Sequence, residues 1–217
     1  MSAARPRRRQ AAHGLATRIR TRRAAAGGAV MAAVAVAAVA GLALAGAGNP
    51  GHATGGRLFP SPHAGPAPLG WHSVTLPDGA VLSYPPSMQT VRSDKGAASA
   101  AAFSPSGAYL LYLNATPREG TETLRNWPAY RIVHLRDDDA RSARQLSAAS
   151  GVRFLGGSGS CVLDTYVTKV GAHHYTELAC LVQGSHASSV VIGAAPASGW
   201  ARAARLLAKA VAAYRVS

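Results

Sequence analysis

The pattern of hydrophobic and polar positions divides the 217-residue chain into three parts. Residues 24–48 carry no charged side chain, and residues 49–70 are rich in Gly and Pro and lack an apolar period. From Trp71 onward, short apolar segments alternate with Gly, Pro, Asn and Asp. Such alternation is typical of strands joined by turns. The chain therefore has room for one folded domain over residues 71–217, preceded by a linker.

Alternating apolar and polar positions predict six strands in this domain. Two of them form a hairpin around Pro77-Asp78-Gly79, and the two longest form a hairpin around Val170-Gly171. Pro and Gly mark the ends of these segments because they disfavour a continued strand. The predicted strands cover residues 71–76, 80–84, 108–113, 160–168, 175–182 and 188–192.

Apolar residues three and four positions apart predict two helices. The first covers residues 121–136, and Pro128 either splits it or opens its second half. The second begins at Ser198 as N-cap and continues through Tyr214. Residues 140–150 fit either a helix or a strand. Leu124, Trp127, Arg131 and Leu135 form one stripe along the first helix.

The first 48 residues indicate export. Residues 1–23 contain eight arginines and no acid, and a basic flank of this kind remains on the cytoplasmic side of a membrane. The following 25 residues are long enough to span a bilayer, which predicts a single-pass anchor with the domain outside. Thirteen of them are Ala, however, and Ala43, Ala45 and Ala47 fit a signal-peptidase site, so secretion after cleavage is the alternative.

The net charge of +14 does not indicate nucleic-acid binding, because it is concentrated in the tail. From Trp71 onward there are 14 Lys and Arg against nine Asp and Glu. A domain with this balance is only mildly basic and lacks the dense positive surface that nucleic acid requires. The predicted organisation is a cytoplasmic tail (1–23), a transmembrane or signal segment (24–48), a linker (49–70) and an extracytoplasmic α/β domain (71–217).

Cys161 and Cys180 are the two cysteines of the chain, and an exported domain favours a disulfide between them. A turn centred on Val170-Gly171 places them opposite each other on adjacent antiparallel strands. The same register places Asp164 opposite Glu177, where like charges repel. Either the loop is longer and the register shifts, or a cation or an Arg side chain lies between the two carboxylates. With His173 and His174 at the hairpin tip, we expect a solvent-exposed polar edge here and no metal or acid–base site.

The order hairpin, strand pair, helix, three-stranded meander and C-terminal helix resembles the Mog1/PsbP-like α/β sandwich. The resemblance is carried by residues 76–79, 81–85, 109–114 and 190–214, and in pattern they are similar to exported actinobacterial envelope proteins, including LpqN-type lipoproteins. It implies an α+β fold with an antiparallel sheet flanked by helices. The chain lacks the lipidated Cys of those lipoproteins. The fold carries unrelated functions, so it implies no reaction.

Candidate chemistry is sparse. A hydrolase or transferase would have to combine Ser158 or Ser160 with His173 or His174 and Asp164. Residues 156–160 fit neither the G-x-S-x-G nor the P-loop pattern, and we predict no catalytic residue, cofactor or metal ligand. The sequence thus predicts a non-enzymatic bacterial cell-envelope protein, attached to the membrane through residues 24–48. Its domain would bind an envelope protein, a wall polymer or a small ligand, and no nucleic acid.

Overall fold

The computed structural model describes residues 62–217. The predicted tail, the apolar segment and most of the linker lie outside the described residues. Within residues 62–217, neither helix has the length and apolar character needed to cross a membrane. The strands are β1 (His72–Thr75), β2 (Val81–Tyr84), β3 (Gln89–Val91), β4 (Ala98–Phe103), β5 (Tyr109–Pro117), β6 (Ala140–Phe154), β7 (Gly157–Thr168), β8 (His174–Gln183) and β9 (Ser188–Pro196), and the helices are α1 (Trp127–Asp138) and α2 (Trp200–Ala212).

A seven-stranded antiparallel sheet forms the centre of the domain, in the order β3-β4-β5-β9-β8-β7-β6. Strands β1 and β2 form a separate two-stranded hairpin, as predicted around Gly79. Gly79 has a φ of +85°, a conformation that other residues rarely adopt, so the turn requires glycine there. The predicted α+β class with an antiparallel sheet and flanking helices is confirmed.

The two helices cover opposite faces of the sheet. Helix α1 packs on β6, β7 and β8, whereas α2 packs mainly on β9 and β5. Gly193 of β9 allows α2 to approach closely, since a Cβ there would lie 3.2 Å from Leu207 Cβ. The main core, on the α2 face, is formed by residues such as Leu82, Leu113, Leu178, Leu207 and Tyr214.

Several boundaries differ from those predicted. Residues 140–150, which fit either a helix or a strand, belong to the 15-residue edge strand β6. Three register shifts interrupt the pairing of β6 with β7. The glycine-rich residues 157–160 are part of β7. Pro128 opens α1 within its first turn, which agrees with the second alternative. Ser198 does not cap α2: it lies in a 3₁₀ turn, and Gly199 occupies the N-cap position without a side-chain hydrogen bond.

Candidate functional site

The hairpin of β7 and β8 has the register that the sequence predicts. Cys161 faces Cys180, and the two are joined by a disulfide with their Cα atoms 4.0 Å apart. Both side chains are fully buried in the core on the α2 face. The bridge therefore fastens β7 to β8 and is not accessible as a redox site.

The predicted conflict between Asp164 and Glu177 is resolved by an arginine. The register does not shift, and the expectation of a solvent-exposed edge is wrong, because both carboxylates lie buried on the α1 face of the sheet. The side chain of Arg131 in α1 contacts Glu177, and its Nε donates a hydrogen bond of 2.7 Å to Glu177 Oε1. A terminal guanidinium nitrogen lies 2.7 Å from the same oxygen. Trp127, one turn earlier in α1, donates from Nε1 to the carbonyl of Ala179.

One positive charge cannot neutralise two buried carboxylates, so Asp164 retains its proton. Burial, followed by the charge of Glu177, raises the pKa of Asp164 to about 9. Neither oxygen of Asp164 has a donor from another residue, and its own proton can be shared with Glu177. Burial also raises the pKa of Tyr166, the next residue along this face of β7. This cluster anchors α1 to the sheet and is closed to solvent.

The candidate hydrolase residues do not converge. Ser158 and Ser160 lie near the start of β7, opposite Gln183 and Leu181. His174 lies opposite Val167, so the serine and histidine ends are about 23 Å apart along the strand. Ser160 is buried as well. The residues therefore cannot form a nucleophile and base pair.

Within residues 62–217, part of the sheet surface on the α1 side carries no helix. Residues paired directly across strands share a face, and Glu177 pairs with Ala194, Ala194 with Tyr112, and Tyr112 with Ala101. Helix α1 covers the Glu177 end of this row and reaches β9 only through Trp127, which packs with Val190 and Ile192; its main contacts are with β6, β7 and β8. We call this surface the open face; its residues are Gln89, Ser99, Ala101, Tyr112, Asn114, Ile192 and Ala194.

The open face is aromatic and polar, and its side chains are held in place by one another. The ring of Tyr109 meets that of Tyr112 edge to face, with centroids 5.9 Å apart, and stacks at an angle on Phe103. Ser99 Oγ and Tyr112 Oη share a hydrogen bond of 3.2 Å, and Asn114 Nδ2 donates to Ser99 Oγ at 2.9 Å. Burial raises the pKa of Tyr112. The rings of Tyr109 and Tyr112 are half-buried and Gln89 is exposed, whereas Ser99, Ala101 and Ala194 are buried.

Sequence reasoning missed this surface. The sequence predicts a strand over residues 108–113, but alternation within one strand cannot tell which face a distant helix will cover. Tyr109 and Tyr112 are three positions apart, so alternation would place them on opposite faces, and the register shift between β4 and β5 brings their rings together. The residues that the structure describes contain no group of His, Cys, Asp and Glu suited to a metal ion.

The disulfide-bonded domain thus has one sheet face shielded by α2 and the other only partly covered by α1. Its backbone is similar to the Ran-binding protein Mog1p of Saccharomyces cerevisiae, with 12% identity over 67% of this chain and 95% of that one and a TM-score of 0.49. It is also similar to the PsbP protein CyanoP of the cyanobacterium Synechocystis, with 14% identity over 68% of this chain and 92% of that one and a TM-score of 0.48.

These likenesses concern the course of the backbone and transfer no function to this chain. No protein-family model matches the sequence, and no curated protein matches it.

Proposed function

We propose that the chain is a non-enzymatic cell-envelope protein that binds another protein through the open face. The observation that carries this proposal is the half-exposed aromatic and polar patch around Tyr112, on sheet strands that α1 leaves uncovered. Residues 24–48 would anchor the chain in the membrane, with the disulfide-bonded domain outside.

The shape and composition of the open face favour a protein partner over a small ligand. Tyrosine is enriched at protein interfaces because it combines a large apolar area with a hydrogen-bonding hydroxyl. Small-molecule sites, by contrast, are concave and mainly apolar. The hollow near the β8–β9 turn does not meet that description: it is open to solvent and lined by polar residues including Arg118, Gln183 and His186.

Site-specific photocrosslinking in the native bacterium tests the proposal. A photoreactive residue at Gln89, which is exposed on the open face, should give a discrete adduct, whereas one at Val170 on the β7–β8 turn should not. The adduct partner, identified by mass spectrometry, is then titrated with purified protein. Tyr112→Ala should weaken this binding at least about tenfold, as removal of a central aromatic side chain does in other interfaces.

Val170→Ala, which truncates an exposed side chain elsewhere, is the matched control and should bind as the wild type does. Thermal unfolding of both variants shows that the fold is retained. Equal adducts from positions 89 and 170, or unchanged binding by a folded Tyr112→Ala variant, would remove the open face as the partner site.

A further inference from the structure

We infer that the outer surface of α2 lies against the anionic phospholipid headgroups of the membrane that holds the chain. This inference rests on the proposed membrane attachment and adds an orientation to it. The docking surface, which we call the basic stripe, consists of Arg202, Arg205 and Lys209.

The basic stripe is exposed and has no opposing charge. Its residues are spaced three and four positions apart, which places them on one side of the helix, and all three side chains are exposed. Among the described residues, none of the three forms an ion pair. No acidic residue follows Glu177 in the sequence, so Arg215 after the helix adds to the same positive charge.

The chain enters the domain beside this helix. Pro62 is buried, and the backbone N–H of Gly65 donates to the carbonyl of Ala212 at the end of α2, about one turn beyond Lys209. Only 13 residues, 49–61, separate Pro62 from the apolar run, and they can span at most about 47 Å. A short tether of this kind gives the attached domain a high effective concentration at the bilayer surface.

The opposite side of the domain carries charges of both signs. Glu119, Asp137 and Asp138 are exposed near the two ends of the α1 segment and offset the exposed Arg118, Arg125, Arg136 and Lys169, and α1 lies on the sheet face opposite to α2. An anionic surface therefore attracts the basic stripe more strongly than this mixed-charge side. The domain therefore lies with α2 toward the lipid, and the open face remains available to a partner.

Lysine footprinting of the full chain in vesicles tests the orientation. The chain is mixed with vesicles of phosphatidylcholine, with or without phosphatidylglycerol, and treated with a water-soluble amine reagent. Lys209 should react more slowly in the phosphatidylglycerol vesicles, whereas Lys169, at the end of β7 near α1, should be unaffected. Raised salt should restore the reactivity of Lys209, because it screens exposed charges.

Two double variants, each of which removes two positive charges, distinguish an effect of the basic stripe from an effect of the overall charge. Arg202→Gln/Arg205→Gln should lose the protection of Lys209, with membrane partitioning lower by roughly fivefold for each cation removed. Arg125→Gln/Arg153→Gln removes two exposed arginines outside α2 and should keep the protection. Equal reactivity of Lys209 in both vesicle types, or equal loss in both double variants, overturns the inference.

Two further arms distinguish this inference from its alternatives. Retention of the chain after alkaline carbonate extraction reports on the anchor alone, and Lys209 protection is measured whether or not the chain is retained. In the second experiment, an anionic wall polysaccharide is added to phosphatidylcholine vesicles and the reactivity of Lys209 is measured again. If it protects Lys209 and phosphatidylglycerol does not, the stripe binds wall polymer and the membrane assignment is wrong.

Discussion

At the scale of single residues, the arginine of α1 explains why two acids can lie opposite each other inside a sheet. Arg131 satisfies Glu177 through two short contacts, and Asp164 remains buried beside them. An isolated carboxylate in such a place would be costly, and the site reduces that cost by keeping Asp164 protonated. The cluster therefore fixes the position of α1 through one ion pair and one neutral acid.

This arrangement predicts that stability falls as pH rises. An Asp in the unfolded chain ionises near its ordinary pKa of 3.8, whereas the folded protein holds the proton of Asp164 up to a pKa of about 9. Between these values the folded state binds one more proton, so the free energy of unfolding decreases as pH rises, by at most about 1.4 kcal/mol per pH unit from this group. Asp164→Asn keeps the shape and a donor but cannot ionise.

Urea unfolding at about pH 5 and about pH 8 measures this effect. Between the two pH values, the free energy of unfolding of Asp164→Asn should decrease less than that of the wild type, and at the higher pH the variant should be more stable than the wild type by about 1 kcal/mol or more. Asp137→Asn removes an exposed carboxyl at the end of α1 and should keep the wild-type pH dependence. Identical slopes for wild type and Asp164→Asn would contradict the neutral acid.

At the scale of elements, the hairpin of β7 and β8 is joined by a covalent bond as well as by its strand pairing. Its register follows from the turn centred on Val170-Gly171, and the disulfide joins the two strands in the middle of the core. Strand β6, which forms the outer edge beside β7, is not identifiable as a strand from the sequence because its three register shifts interrupt the alternation of side chains.

Removal of the disulfide should lower stability without changing the fold. The bridge closes a loop with a sequence separation of 19, and such a loop contributes about 3 kcal/mol by restricting the unfolded chain. Cys161→Ala/Cys180→Ala should therefore unfold at lower urea concentration, as measured by tryptophan fluorescence. Wild-type protein treated with reductant in native buffer should keep its bond, because both sulfurs are buried. An unchanged urea midpoint in the double variant would refute this contribution.

At the scale of the whole molecule, the placement of the helices separates two surfaces with different proposed roles. Helix α2 covers β9 and β5 on one face and carries the basic stripe, while α1 lies mainly over β6–β8 on the other and leaves the open face. A membrane on the α2 side and a protein partner at the open face can therefore be bound at the same time.

The proposed anchor predicts the mass of the mature protein. Intact-mass measurement on chain purified from the native bacterium should show a species that includes residues 24–48. Cleavage after Ala45 or Ala47 would instead remove the tail and the apolar run, and the chain would then be secreted. A mature protein that begins after residue 45 or 47 excludes the anchor but leaves the fold and the open face unchanged.

The sequence by itself determined the features that depend on neighbours close along the chain. The hairpins, the pairing of Cys161 with Cys180 and the opposition of Asp164 to Glu177 all follow from turn position and the two-residue period of a strand. The stripe of Trp127, Arg131 and Leu135 likewise identified the buried side of α1.

Only the tertiary structure decided which charged group pairs with Glu177 and which part of the sheet remains open. Arg131 and Glu177 are 46 positions apart in the sequence, and their contact depends on where α1 packs across β6, β7 and β8. The strand order also places β9 between β8 and β5, and the aromatic residues of β5 therefore lie on the open face. These placements arise from packing between distant segments, which local periodicity does not encode.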